Sequence, residues 1–172
     1  MKKSCKIKNG IFVIVFILLL VGVVFGKEIR LDKRLEVVDG DTIKQGKVRI
    51  RLYGIDSPEL KQQCEDQKGK KWNCGQVAKT RLHQTIYGKQ VLCKTKGKDR
   101  YKRNLAICYV DGTDVNEHMV REGLAESYSQ YSDLYDLAEE YARSNKKGIW
   151  SGDFESPSEY RKKKNKKHKK AK

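Results

Sequence analysis

The sequence is poor in the groups on which much catalysis and metal binding depend. Only three of its 172 residues are histidine. His83, His118 and His168 show no catalytic spacing; the first two are expected at the surface and the third in a basic tail. The five cysteines contain no Cys-x-x-Cys pair and no nearby Cys-x-His spacing, which argues against a structural zinc site. There is no internal repeat. Acid is missing from both ends: residues 1–10 carry four Lys, and residues 161–172 carry nine Lys or Arg, with no Asp or Glu in either stretch. Removing these thirteen charges from the formal +16 leaves +3 for residues 11–160. The basic character therefore belongs to the tails, and net charge alone does not point to a nucleic-acid partner.

A full-length membrane span is also lacking. Residues 11–26 are apolar throughout, but sixteen residues fall short of the roughly 20 that cross a bilayer comfortably. Preceded by Lys2, Lys3, Lys6 and Lys8, they read as an export signal with a cut after Gly26. An uncleaved anchor through residues 11–26 is the rival reading. Either way residues 27–172 are expected outside the cytoplasm, whether periplasmic, secreted or anchored at the surface. The cysteine count agrees. Setting Cys5 aside leaves Cys64, Cys74, Cys93 and Cys108, an even number in an exported chain. Four cysteines permit three pairings. Cys64–Cys74 would close a polar loop, and Cys93–Cys108 would tie two strands; this is the pairing expected.

Three strand signals come early: Leu35–Val38 and Thr42–Lys44 around an Asp-Gly turn, then the alternating run Val48–Tyr53. Residues 60–75 have no apolar period and read as loop. Ala78, Leu82 and Ile86 share a helix face ended by Gly88, and Val91–Cys93 and Leu105–Val110 read as further strands. A short helix spans Val115–Glu122. A last one is capped by Ser132–Asp133, apolar at Leu134, Leu137, Ala138 and Tyr141, and closed by Gly148. Trp150 is expected in the core beneath that helix. Spacing alone supports a mixed α and β domain over residues 27–152. Ser156-Pro157-Ser158 marks its end, and residues 153–172 are expected to be a disordered basic tail.

What is present is a set of carboxylates and guanidiniums. Asp39-Gly40-Asp41-Thr42 is followed by Arg49-Ile50-Arg51 and Asp56-Ser57-Pro58-Glu59, and later by Asp99-Arg100-Tyr101-Lys102-Arg103. Carboxylates that share a hard cation, near arginines that hold phosphate, suit a metal-dependent phosphodiesterase. Taken singly, an Asp-Gly is a common hairpin turn. Taken in order, together with Val115–Ala125 and Asn145–Ser151, these segments resemble the thermonuclease (staphylococcal nuclease) family over roughly residues 35–151.

The resemblance implies an α+β fold: a five-stranded Greek-key barrel of the oligonucleotide/oligosaccharide-binding type with about three helices. It implies Ca2+ as cofactor, held by Asp41, Asp56 and the backbone carbonyl of Ser57, where the family often has Thr. Glu59 matches the family's general base. Arg51 and Arg103 match its phosphate-binding arginines, and guanidinium forks suit phosphate oxygens. Arg49 shares the face of Arg51, but Arg51 has the family's five-residue spacing to Asp56. Tyr101 matches a tyrosine near the phosphate, and Asp99 an acid of the same pocket. The base-stacking tyrosine stays open between Tyr128 and Tyr131. The expected function is an exported, monomeric, calcium-dependent endonuclease acting on DNA and RNA with little sequence preference and leaving 3′-phosphate ends. The alternative is a catalytically weak, membrane-anchored nucleic-acid-binding protein. No site residue is expected in the tail.

Overall fold

The alternation in Val48–Leu52 works as a half-buried strand should: Ile50 and Leu52 are buried, while Arg49 is exposed and Arg51 only half-buried. This strand, β4, sits inside the main sheet of a computed structural model that describes residues 27–170. The export segment at residues 1–26 lies outside the described residues. No helix among the described residues is long and apolar enough to cross a membrane.

The other main strands are β1 (Glu28–Leu31), β2 (Glu36–Val37), β3 (Thr42–Gln45), β8 (Val91–Lys98), β9 (Asn104–Val110) and β10 (Thr113–Asp114). They pair in the order β1-β8-β9-β4-β3-β2, with β10 also on β9. All these pairings are antiparallel except β4 with β9. The result is a curled half-barrel, α+β and OB-like in class. It has seven strands where five were expected. The additional ones are β1, whose four residues include two charges, and the two-residue β10. Strand β8 also runs well past Cys93 through polar residues, crossing an irregularity between Thr95 and Gly97.

Two short sheets flank the main one. β5 (Ile55–Asp56) pairs with β11 (Glu126–Ser127), and β6 (Cys64–Glu65) pairs with β7 (Lys71–Trp72). The second pair corrects the loop expected over residues 60–75. Its apolar content was too small to show a period, and a bond between Cys64 and Cys74 ties it to the start of the next helix. A second bond joins Cys93 to Cys108, which face each other directly across β8 and β9.

Helix α1 (Cys74–Ile86) buries Ala78, Leu82 and Ile86, the face read from the sequence. Helix α2 (Val115–Arg121) is capped by the Asp114 carboxylate, which accepts from the Glu117 N–H at 3.0 Å. Helix α3 (Asp136–Ser144) departs from expectation. It starts four residues after Ser132, and Leu134 and Leu137 are 54% and 82% exposed. The buried residues are Tyr135, Ala138 and Ala142. Small alanines let α3 lie close on α2, and the Tyr135 hydroxyl reaches inward to Asp114 at 3.1 Å. Gly148 does not close α3 but opens a short 3-10 turn, Gly148–Ser151. Trp150 is half-buried against Phe154 in a satellite cluster around Cys64–Cys74.

The tail differs most. Residues Pro157–Lys170 form helix α4 rather than disordered chain. Pro157 stands at the first helical position, where its missing N–H has no intrahelical partner to lose.

Candidate active site

Three segments meet at the mouth of the half-barrel, and two glycines let them approach. A Cβ on Gly40 would fall 2.0 Å from the Ser57 Oγ and 2.8 Å from the Ala78 Cβ. A Cβ on Gly75 would lie 1.8 Å from the Glu59 carbonyl oxygen. Neither position tolerates a side chain without backbone displacement. The Asp39–Asp41 turn, the Ser57–Glu59 loop and the first turn of α1 are thus pressed together.

Asp41 and Asp56 are 2% and 1% exposed. Burial of ionised carboxylates is costly unless they are paired, and Arg51 pairs both. Its Nη1 donates to Asp41 Oδ1 at 2.6 Å and its Nη2 to Asp56 Oδ1 at 2.8 Å. Asp41 further accepts from the Thr42 hydroxyl at 3.0 Å and from the Ser57 N–H at 3.0 Å. Burial pushes the Asp41 carboxyl above the usual range, with Arg51 opposing. Burial works against the Arg51 charge, but Asp41 and Asp56 prevail and hold its value up. The Ser57 hydroxyl donates to the Leu124 carbonyl at 2.9 Å, so its side chain serves the fold.

Arg103 approaches from the hairpin between β8 and β9. Asp99 accepts from the Tyr101 and Arg103 N–H groups at 2.9 and 3.0 Å, and from Arg103 Nε at 2.7 Å. Partial burial raises Asp99, but the Arg103 hydrogen bonds outweigh it and hold the carboxyl below its ordinary value. Asp99 thus organises its turn and aims Arg103, whose Nη1 lies 3.5 Å from the Thr42 hydroxyl. Tyr101 is 65% exposed beside Arg103. Arg49 is exposed, away from this convergence. The Tyr128 and Tyr131 rings pack with centres 4.8 Å apart and planes tilted by 50°; Tyr128 is half-buried and Tyr131 exposed.

The structure adds a residue that the sequence reading placed outside the site. Arg161, in the second turn of α4, donates to both Asp56 oxygens at 2.9 and 2.7 Å and to Glu59 Oε1 at 3.1 Å. The tail therefore reaches the site. Arg161 is the sole arginine heading a run of lysines, the one signal in the sequence that could have marked it.

Among the described residues, no group of three or more His, Cys, Asp and Glu forms a ready metal cage. The donor set nevertheless fits a hard cation. Arg51 bridges Asp41 and Asp56, so both carboxylates converge on one point, and all available ligands are oxygen. Asp41, Asp56 and the Ser57 backbone could hold such an ion, with water completing its shell.

Beside Asp56 a cleft opens, lined by Glu126, Tyr128, Arg143 and Ser156 among others. Glu126 lies opposite Asp56 across β11 and β5. Burial, then Glu139 and Asp56, raise its value from 4.5 to about 7. A carboxyl raised on folding stabilises fully below its unfolded value and loses that stability as pH rises through the folded one. Glu126→Gln, melted in chelator, should match the parent near pH ~4 and melt higher above pH ~7. An equal melting difference at both pH values would contradict this.

The fold is a curled OB-like half-barrel with paired carboxylates and guanidiniums at its mouth. Sequence comparison makes the assignment specific. The chain belongs to the staphylococcal nuclease homologue family, whose profile matches residues 49–152. It is 36% identical over 124 residues to an uncharacterized endonuclease of Haemophilus influenzae, covering 68% of this chain and 64% of that one. It is 37% identical over 128 residues to endonuclease YncB of Bacillus subtilis, covering 66% and 58%. It is also 35% identical over 117 residues to succinoglycan biosynthesis protein ExoI of Rhizobium meliloti, covering 66% and 61%. The chain spans about three fifths of the length of these relatives.

Proposed function

We propose that this protein is an exported, calcium-dependent endonuclease that hydrolyses DNA and RNA with little sequence preference and leaves 3′-phosphate ends. The observation that carries the reading is the convergence of Asp41, Asp56 and Arg51 on one point, with Arg103 nearby at Thr42. Export is supported by the apolar segment at residues 11–26 and by two disulfides, which persist in oxidising compartments. The endonuclease names of two relatives support the activity.

A bound calcium ion would supply positive charge for the phosphate and lower the pKa of nearby water. The residues divide the remaining work. Asp41 and Asp56 would hold the ion. Arg103 uses Nε on Asp99, which leaves its outer nitrogens to bind a phosphate oxygen and offset charge on the leaving group. Arg51, whose guanidinium lies between the same two carboxylates, would take the other phosphate oxygen. Glu59, whose side chain is 40% exposed, can accept the proton of the attacking water. Tyr101 and Tyr131, both exposed, offer rings against the substrate strand.

Attack of water on phosphorus with departure of the 5′ oxygen leaves the phosphate on the 3′ side, so the products should resist polymerase extension until treated with phosphatase. A labelled single-stranded DNA and the equivalent RNA, digested in calcium, test this. Products extendable without phosphatase would contradict it.

A further inference from the structure

Helix α4 is an unusual companion for an active site. It is 14 residues long, about 21 Å, and every residue from Lys162 to Lys167 is exposed. Among the described residues its anchors lie in its first half: the Tyr160 hydroxyl on the Lys61 carbonyl at 3.3 Å, Lys163 on Glu155 at 2.7 Å, and Arg161 on Asp56 and Glu59. Beyond them Lys162 faces Lys166 and Lys163 faces Lys167 at helical spacing, which disfavours the helix. The arm is held by few contacts and strained by its own charge.

The charge at the mouth shows what Arg161 does there. Asp41, Asp56 and Glu59 carry three negative charges. Arg51 and Arg161 supply two positive ones, while Arg103 is engaged by Asp99. Without Arg161 the three carboxylates face Arg51 alone, leaving two negative charges, the complement of one divalent cation. The guanidinium also takes both oxygens of Asp56 and one of Glu59. These are the atoms that a cation and an attacking water require.

We propose that α4 is a latch. In the free protein Arg161 covers Asp56 and Glu59 and competes with the cation. The phosphodiester backbone of a nucleic-acid strand draws the lysines of α4 away, which frees the carboxylates and admits the cation. The arm thus couples occupancy of the site to the presence of polyanionic substrate. Lysines neutralising phosphates give such an arm its affinity without sequence preference. The inference rests on the cation reading given above.

The test is calorimetric titration of calcium into the full chain, Arg161→Gln and Lys96→Gln, each alone, with a long phosphorothioate oligonucleotide, and with phosphatidylglycerol vesicles. Lys96→Gln removes one positive charge from an exposed position of β8. Arg161→Gln should bind calcium roughly tenfold more tightly than the other two, because a charge-assisted competitor is gone. The oligonucleotide should tighten binding to the parent severalfold more than to Arg161→Gln, where only the contact between phosphate and ion remains to couple them. Asp56 keeps Arg51 in that variant, and matching melting curves check its fold. Equal or weaker calcium binding by Arg161→Gln overturns the latch alone. Absence of calcium binding by all three proteins overturns the cation reading and the latch with it. Tightening by phosphatidylglycerol vesicles but not by the oligonucleotide overturns the assignment of substrate as the trigger.

Discussion

Arg51→Ala is expected to damage both the fold and the chemistry, and Arg51→Lys to separate them. The Arg51 fork spans two carboxylates that are 2% and 1% exposed. Removing it leaves buried Asp41 without a cationic partner among the described residues, while Asp56 keeps Arg161; an uncompensated buried charge typically costs ~3–5 kcal/mol. The alanine variant should therefore melt far below the parent in chelator. A lysine keeps the charge, but a single ammonium cannot reproduce the planar fork. The lysine variant should stay folded while losing turnover by about a hundredfold or more, the usual cost of a lost transition-state donor at ~3 kcal/mol. Arg49→Ala, on an exposed position of the same strand, should be mild. The comparison needs melting curves and nuclease rates for all three. A loss at Arg49 as large as at Arg51 would mean that the strand register is wrong.

Asn116→Ala should be among the most destabilising single changes in the domain. Asn116 is wholly buried. Its amide donates to the Tyr53 and Ala106 carbonyls at 2.9 and 3.1 Å, and its oxygen accepts from the Cys108 N–H at 3.2 Å. One side chain thus pins α2 to the residue just after β4 and to the middle of β9. Alanine would take their side-chain partner from the Tyr53 carbonyl and the Cys108 N–H, each worth ~1–3 kcal/mol, while the Ala106 carbonyl keeps the Tyr53 N–H at 2.8 Å. The expected loss is ~3 kcal/mol or more, a fall of roughly 10 °C for a domain of this size. Thermal melting measures it directly, and a fall of only one or two degrees would show that water replaces the amide. The disulfide Cys93–Cys108 ends beside the same network, so the two changes should not be additive.

The legible parts of this protein are those governed by local rules. Strand β4 announces itself by alternation, and α1 by the Ala78, Leu82 and Ile86 face. Asp41 and Asp56 were named through the family resemblance, and the fold brings both carboxylates to Arg51. The α3 face was misread because Leu134 and Leu137 have the right period and high hydrophobicity. Close packing of α3 on α2 instead selects Ala138 and Ala142, and the partner of Tyr135 lies on another element. Strand β1 was hidden by its brevity and charge. Arg161 was hidden by distance: it meets Asp56 across 105 positions, out of a run of like charges that composition assigns to solvent. A run of lysines looks unable to fold, but it finds acids just before it, at Glu155, and at the barrel mouth, at Asp56 and Glu59.

The most direct test of the central claim is a plasmid-degradation assay on the full chain under a chelation cycle. The protein is stripped with excess chelator, then supplied separately with calcium and with zinc. Because Asp41 and Asp56 offer oxygen ligands converging on one point, cleavage should cease in chelator, return with calcium and fail to return with zinc. It should not return at all in Asp56→Asn. Undiminished cleavage in excess chelator would contradict the account, since the two buried aspartates would then serve some purpose other than holding a cation.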